Sequence, residues 1–190
     1  MSSRCTRTST CPRTSSKPPS SLHERIVLGI DPGTTGMGYA VLDAGTDPAT
    51  VVDRGQVAAP ADGSAAERLL AIANALDALI AQHAPATIAI ERLYFNKNVR
   101  TAMRVAEARG VALLSAARAG LTVAEYTPQE VKLSVTGSGA ADKGQVQRMV
   151  ALLLPLAGPL TQDNVADAVA IALTHAQRVR FAAAVAGADG

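Results

Sequence analysis

The stretch that decides the fold is Ile26-Val27-Leu28-Gly29-Ile30-Asp31-Pro32-Gly33-Thr34-Thr35-Gly36. Ile26, Val27, Leu28 and Ile30 make a short, β-branched-rich apolar run, the pattern of a strand covered on both faces. Asp31 closes it. A carboxylate at the end of a core strand is either paired, bound to a metal, or capping the following turn through its own backbone. Pro32 and Gly33 turn the chain, and Gly36 and Gly38 are expected to let backbone approach whatever Asp31 binds.

Outward from this strand, 38–42 and 51–57 read as two more strands separated by Asp- and Gly-containing turns, an antiparallel meander. An apolar stripe over 65–83 predicts a helix, which Pro85 ends. Residues 87–90 form another buried strand, again closed by a carboxylate, Glu91. Helical spacing covers 99–118, with Val99, Ala102, Met103, Ala106, Gly110, Leu113, Leu114 and Ala117 repeating at three- and four-residue steps. A fifth strand spans 122–126. Thr127-Pro128-Gln129-Glu130 is a capping box with Pro at the first helical position. After a Gly-rich loop at 137–141, helices are expected over 143–154 and from 163 to about 181. This order predicts an α/β fold: a mixed five-stranded sheet, antiparallel meander on one side and parallel crossovers on the other, flanked by helices.

The chain has 190 residues, a hydrophobic content of 48% and a net charge of +2. That length suits one domain with a proper core, over 26–183, followed by a flexible tail at 184–190. No apolar run reaches the roughly 18 residues of a membrane span, so a soluble protein without membrane contact is expected. Aromatics at 3% exclude a broad base-stacking platform. Residues 1–25 are rich in Ser, Thr, Pro and Arg and read as a disordered extension. Arg4, Arg7, Arg13, Lys17 and Arg25 against Glu24 give that extension +4, leaving about −2 for the remainder. Both cysteines, Cys5 and Cys11, lie in it, and a cysteine-free body fits a cytoplasmic protein.

Asp31 and Glu91 end neighbouring strand candidates, where sites form in open sheets. Asp167 stands near the start of the last helix. Clustered carboxylates repel unless a divalent cation neutralises them, and oxygen-only donors select Mg²⁺, with Mn²⁺ as substitute. A pair of such ions suits phosphodiester hydrolysis. Each acid taken singly also suits a strand-end turn or a helix N-terminus.

Val27-Leu28-Gly29-Ile30-Asp31-Pro32-Gly33, Ile90-Glu91, Ala141-Asp142-Lys143 and Ala166-Asp167-Ala168-Val169-Ala170-Ile171-Ala172 together resemble the RuvC family of Holliday-junction resolvases, in order and spacing, from Arg25 to about Gln177. The resemblance implies an RNase H-like fold, a homodimer, and resolution of four-way DNA junctions by paired symmetric nicks through metal-activated water, in recombination and repair. It implies a branch-migration motor as partner, two Mg²⁺ per active site, and Asp31, Glu91 and Asp167 as ligands. The family's further acid, three residues before the last Asp, is here Asn164, with Asp163 one step earlier. Asn164 is expected to face the site as a neutral ligand and Asp163 to cap the helix.

Lys132 and Lys143 match lysines that the family uses at the scissile phosphate, where a compact charge stabilises the transition state. Tyr94 matches a family aromatic able to stack on an unpaired base, and Lys97 and Arg100 follow it as DNA contacts. Arg104, Arg109 and Arg118 read as a solvated helix face, with small residues opposite as a dimer seam. Two alternatives stay open. One is a nucleotide-binding domain of the actin and sugar-kinase type, which shares the strand-Asp-x-Gly-Thr-Thr-Gly turn. The other is a junction-binding protein with a degenerate active site.

Overall fold

The computed structural model describes residues 25–33, 36–60, 62–92 and 99–188, apart from the side chains of 99, 100, 187 and 188. In chain order the elements are β1 (Ile26–Pro32), β2 (Gly36–Asp43), β3 (Thr50–Ala58), α1 (Ala65–His83), β4 (Thr87–Glu91), α2 (Val99–Arg118), β5 (Thr122–Tyr126), α3 (Pro128–Thr136), α4 (Lys143–Leu153) and α5 (Asp163–Ala188). The sheet order is β3-β2-β1-β4-β5; β1 pairs antiparallel with β2 and parallel with β4, and β4 pairs parallel with β5. The mixed sheet with a meander and parallel crossovers is therefore present.

Several boundaries differ from the sequence reading. β1 runs on through Asp31 to Pro32, pairing Asp31 with Gly38 and Pro32 with Met37. Pro32 is tolerated because β4 pairs only with Val27 to Ile30, so no ladder bond is asked of its nitrogen. α5 continues to Ala188, into the stretch read as a tail. Arg25 joins the folded body, pairing with Asp43 at 3.3 Å, whereas the rest of the basic extension lies outside the described residues.

Strand alternation divides the core. Leu28 and Ile30 of β1, Met37 and Val41 of β2, and Ile88 and Ile90 of β4 face α1 and α2. Val27, Ala40, Leu42 and Ala89 face α3, α4 and α5. By the same parity Gly29 and Asp31 of β1, Gly38 of β2 and Glu91 of β4 belong to the α5 side. α5 is buried on nearly all sides over Val165 to Thr174, as a helix sandwiched between a sheet and two covering helices must be. Asp167 is the one charged residue of that stretch.

The small side chains of α2 divide between two faces, with Ala106, Gly110 and Ala117 exposed. Ala108, Ala112 and Ala116 are buried in the core, whereas Met103 and Leu114, assigned to the apolar stripe, are 59% and 51% exposed. Alanine lets α2 lie close against its neighbours, and Val111 and Leu113 pack partly buried against the same core.

Candidate active site

Two glycines set the distance of α5 from the sheet. A Cβ at Gly29 would overlap the Ala168 carbonyl and stand 2.7 Å from Ala172 Cβ; one at Gly38 would overlap the Asn164 carbonyl. These two close approaches bracket Asp167 along the helix. Gly38 is also the register partner of Asp31, so the contact that seats α5 lies beside that carboxylate. Gly38 was expected to let backbone approach whatever Asp31 binds, and the backbone it makes room for is that of α5. Gly36 likewise accommodates the Gln56 side chain.

Asp31 and Glu91 thus project from adjacent strands toward the helix that carries Asp167. The Asp31 carboxyl is pushed up from 3.8 to about 7, chiefly by burial, then by the charges of Asp167 and Glu91, with Lys143 opposing. Burial, then Asp167, raises Glu91 as well. Lys143 enters from the N-terminus of α4, where Asp142 and Gln145 form a reciprocal capping box with both bonds at 2.8 Å. Its Nζ lies 2.9 Å from Asp167 Oδ2 and 3.3 Å from Asp163 Oδ2. Burial pulls the ammonium down, but the bonds and charges of those two acids hold it above its ordinary value.

Glu91, Lys132, Lys143 and Asp167 line one open cleft whose floor is Val131, Val146, Ala170 and Ile171. Lys132 reaches it from α3, which begins with the expected capping box; Thr127 and Glu130 exchange bonds of 2.9 and 3.1 Å. Asp31 lies outside this lining. Asn164 is half-buried, and its Oδ1 accepts from the Val165 N–H at 3.0 Å. Asp163 does not cap α5. The helical ladder already starts from the Gln162 carbonyl, and the Asp163 carboxylate meets Lys143 and Gln147. Tyr94 and Lys97 lie outside the described residues, as does the side chain of Arg100.

The donor set fits a hard divalent cation in its chemistry: oxygen ligands only, and acids whose mutual repulsion a cation would relieve. Among the described residues no three His, Cys, Asp or Glu side chains close on one point, and Lys143 supplies the counter-charge at Asp167.

Sequence reasoning missed the support behind Glu91. Arg109, read as solvated, is only 16% exposed in its side chain; its Nη2 is 2.7 Å from Glu125 Oε1 and its Nε donates to the Glu91 carbonyl at 3.3 Å. Arg92 N–H donates to the Tyr126 carbonyl at 2.7 Å, so the chain leaving Glu91 is held from both α2 and β5. Tyr126 in turn lies 2.8 Å from His175 Nδ1 on α5, with Arg178 stacked 5.1 Å over its ring. The clue to these pairs was the polar residues Glu125 and His175 inside otherwise apolar elements.

A mixed sheet of this topology, with acids gathered on one face at the central strands and on the helix crossing them, is an RNase H-like fold. The family model described as crossover junction endodeoxyribonuclease RuvC matches residues 27–175. A curated protein of that name from Heliobacterium modesticaldum is 46% identical over 159 residues, covering 84% of this chain and 98% of the relative. Another from Chloroflexus aggregans is 50% identical over 149 residues, covering 78% and 91%. Among solved structures, Thermus thermophilus RuvC in complex with a Holliday junction substrate matches with a TM-score of 0.78 at 33% identity, over 83% of this chain and 96% of that one. The yeast mitochondrial Holliday junction resolvase Ydc2 matches with 0.63 at 13% identity, over 86% and 85%, a likeness of fold. The chain belongs to the RuvC family of crossover junction endodeoxyribonucleases. The family match spans residues 27–175, and neither the kinase-like nor the non-nuclease alternative finds support beside it. Among the described residues no helix is long and apolar enough to cross a membrane.

Proposed function

We propose that this chain resolves four-way DNA junctions by paired symmetric nicks, with Asp31, Glu91 and Asp167 holding divalent cations. The observation that carries this reading is the convergence of Asp31 and Glu91, by strand parity, on the helix bearing Asp167. There, burial and mutual charge drive the Asp31 carboxyl to about 7. When bound, a pair of Mg²⁺ ions, replaceable by Mn²⁺, activates the attacking water and steadies the departing oxygen. Asn164 adjoins this set and offers a neutral amide oxygen once it leaves the Val165 N–H. Lys143 and Lys132 face the same cleft, where each ammonium suits a phosphate oxygen. Lys143, beside Asp167, stands where charge develops on the scissile phosphate. Tyr94, Lys97 and Arg100 follow Glu91 and serve as junction contacts, the tyrosine as a stacking surface.

A junction with two-fold symmetry calls for two active sites, so the working unit is a homodimer. The exposed Met103 and Leu114 of α2 offer it apolar surface. A branch-migration motor delivers the junction, and the reaction takes place with the DNA in the cytoplasm. The nuclease domain takes in 26–183 together with Arg25 and the remainder of α5, and the basic extension before Arg25 is dispensable.

The test is incubation of the purified protein with a labelled four-way junction and with linear duplex of the same sequence, in Mg²⁺ and in EDTA. Symmetric nicks in the junction alone, in Mg²⁺ alone, are the expected result. Nicking of both substrates alike, or in EDTA, refutes the reading.

A further inference from the structure

Lys143 and Gln147 stand one turn apart on α4; Asp163 and Asp167 stand one turn apart on α5. The two helices meet through these side chains. Lys143 Nζ touches Asp167 Oδ2 at 2.9 Å and Asp163 Oδ2 at 3.3 Å, while Gln147 Nε2 donates to Asp163 Oδ1 at 3.1 Å. The Asp163 side chain is 74% exposed, yet α4 engages both of its oxygens. An exposed carboxylate gains little from one ion pair. Here a second partner fixes its orientation and aims the charge at Lys143.

We infer that Asp163 is a positioning residue that gives Lys143 a second resting place, so that the lysine yields Asp167 to an incoming cation without leaving the site. The inference rests on the reading of Asp31, Glu91 and Asp167 as the cation-holding set. An ammonium and a divalent cation compete for the same Asp167 oxygen, since like charges cannot share it cheaply. With Asp167 as its only partner, Lys143 would lose its counter-charge whenever a cation bound. With Asp163 also in contact, it transfers its bond over a short distance and stays near the scissile phosphate. Gln147 holds Asp163 for this transfer without adding charge. Asp163 thus differs in role from a metal ligand: it acts on the cation only through Lys143.

That distinction sets the experiment, which is calorimetric titration of Mn²⁺ into the DNA-free protein. Asp163→Asn should weaken Mn²⁺ binding about threefold, the scale an exposed ion pair supplies. In a Lys143→Met background the same substitution should change the affinity by less than about 1.5-fold, because the competitor is gone. An equal loss in both backgrounds makes Asp163 a ligand and overturns the inference. No loss in either makes it an inert surface pair and also overturns it. Asp167→Asn serves as the separate control on the underlying reading and should abolish Mn²⁺ binding in both backgrounds. Binding that survives Asp167→Asn places the cation elsewhere, and then the site assignment fails along with the inference.

Discussion

Gly29→Ala tests whether the close seating of α5 is what builds the site. The new Cβ would stand 2.7 Å from Ala172 Cβ and overlap the Ala168 carbonyl. Carbon atoms rest at about 3.5–4.0 Å, so α5 must withdraw by about 1 Å. Backbone atoms of a packed helix cannot rotate aside as a flexible side chain would. Overpacking of this kind costs about 1–3 kcal/mol, and for a domain of this size lowers Tm by roughly 3–10 °C. Asp167 precedes Ala168 and moves with it. A 1 Å misplacement of a reacting group costs on the order of 100-fold in rate. Single-turnover nicking of a four-way junction, measured well below Tm, should therefore fall about 100-fold while junction binding stays within about threefold. Leu76→Ala supplies the control. Leu76 is fully buried on the opposite face of the sheet, so its truncation costs about 2–5 kcal/mol without touching α5. Its nicking rate should stay within about twofold of the parent. Near-normal nicking by folded Gly29→Ala, or an equal loss in Leu76→Ala, would refute the reasoning.

Lys143→Ala should lower single-turnover cleavage more than junction affinity if the ammonium acts on developing charge as proposed; losses in equal proportion would make it an ordinary phosphate contact. His175 carries a pH signature. Burial, then the charge of Arg178, lowers its pKa from 6.5 to about 4, so the unfolded chain binds the proton more readily. Stability should thus be intact above pH 6.5 and decline as pH falls toward 4, by about 3 kcal/mol in all. Melting curves from pH 4 to 7 should show a shallower decline in His175→Gln, and identical slopes would remove His175 as the cause.

The strands carrying Asp31 and Glu91 were legible because a short β-branched run bounded by turn residues has few other uses. The Thr127–Glu130 cap was legible because its signals are local. The face of α2 was misread for a physical reason. Large apolar residues and alanines repeat at the same helical spacing, and hydrophobicity favours Met103 and Leu114. Close helix packing favours Ala108, Ala112 and Ala116. Arg109 looked solvated because its partner Glu125 lies on another element, sixteen residues away in the chain. Gly29 and Gly38 were opaque for the same cause. A glycine that admits a ligand and one that admits a helix read alike until the helix is placed.

The central claim is that Asp31, Glu91 and Asp167 together make the cleavage site. Its most direct measurement is the single-turnover nicking rate of Asp31→Asn, Glu91→Gln and Asp167→Asn on a labelled four-way junction in saturating Mg²⁺, with junction binding followed in parallel. Each variant should lose cleavage and keep binding, since removing a negative charge from the cleft also lessens its repulsion of phosphates. Near-normal nicking by any one of the three would take that residue out of the site and contradict the claim.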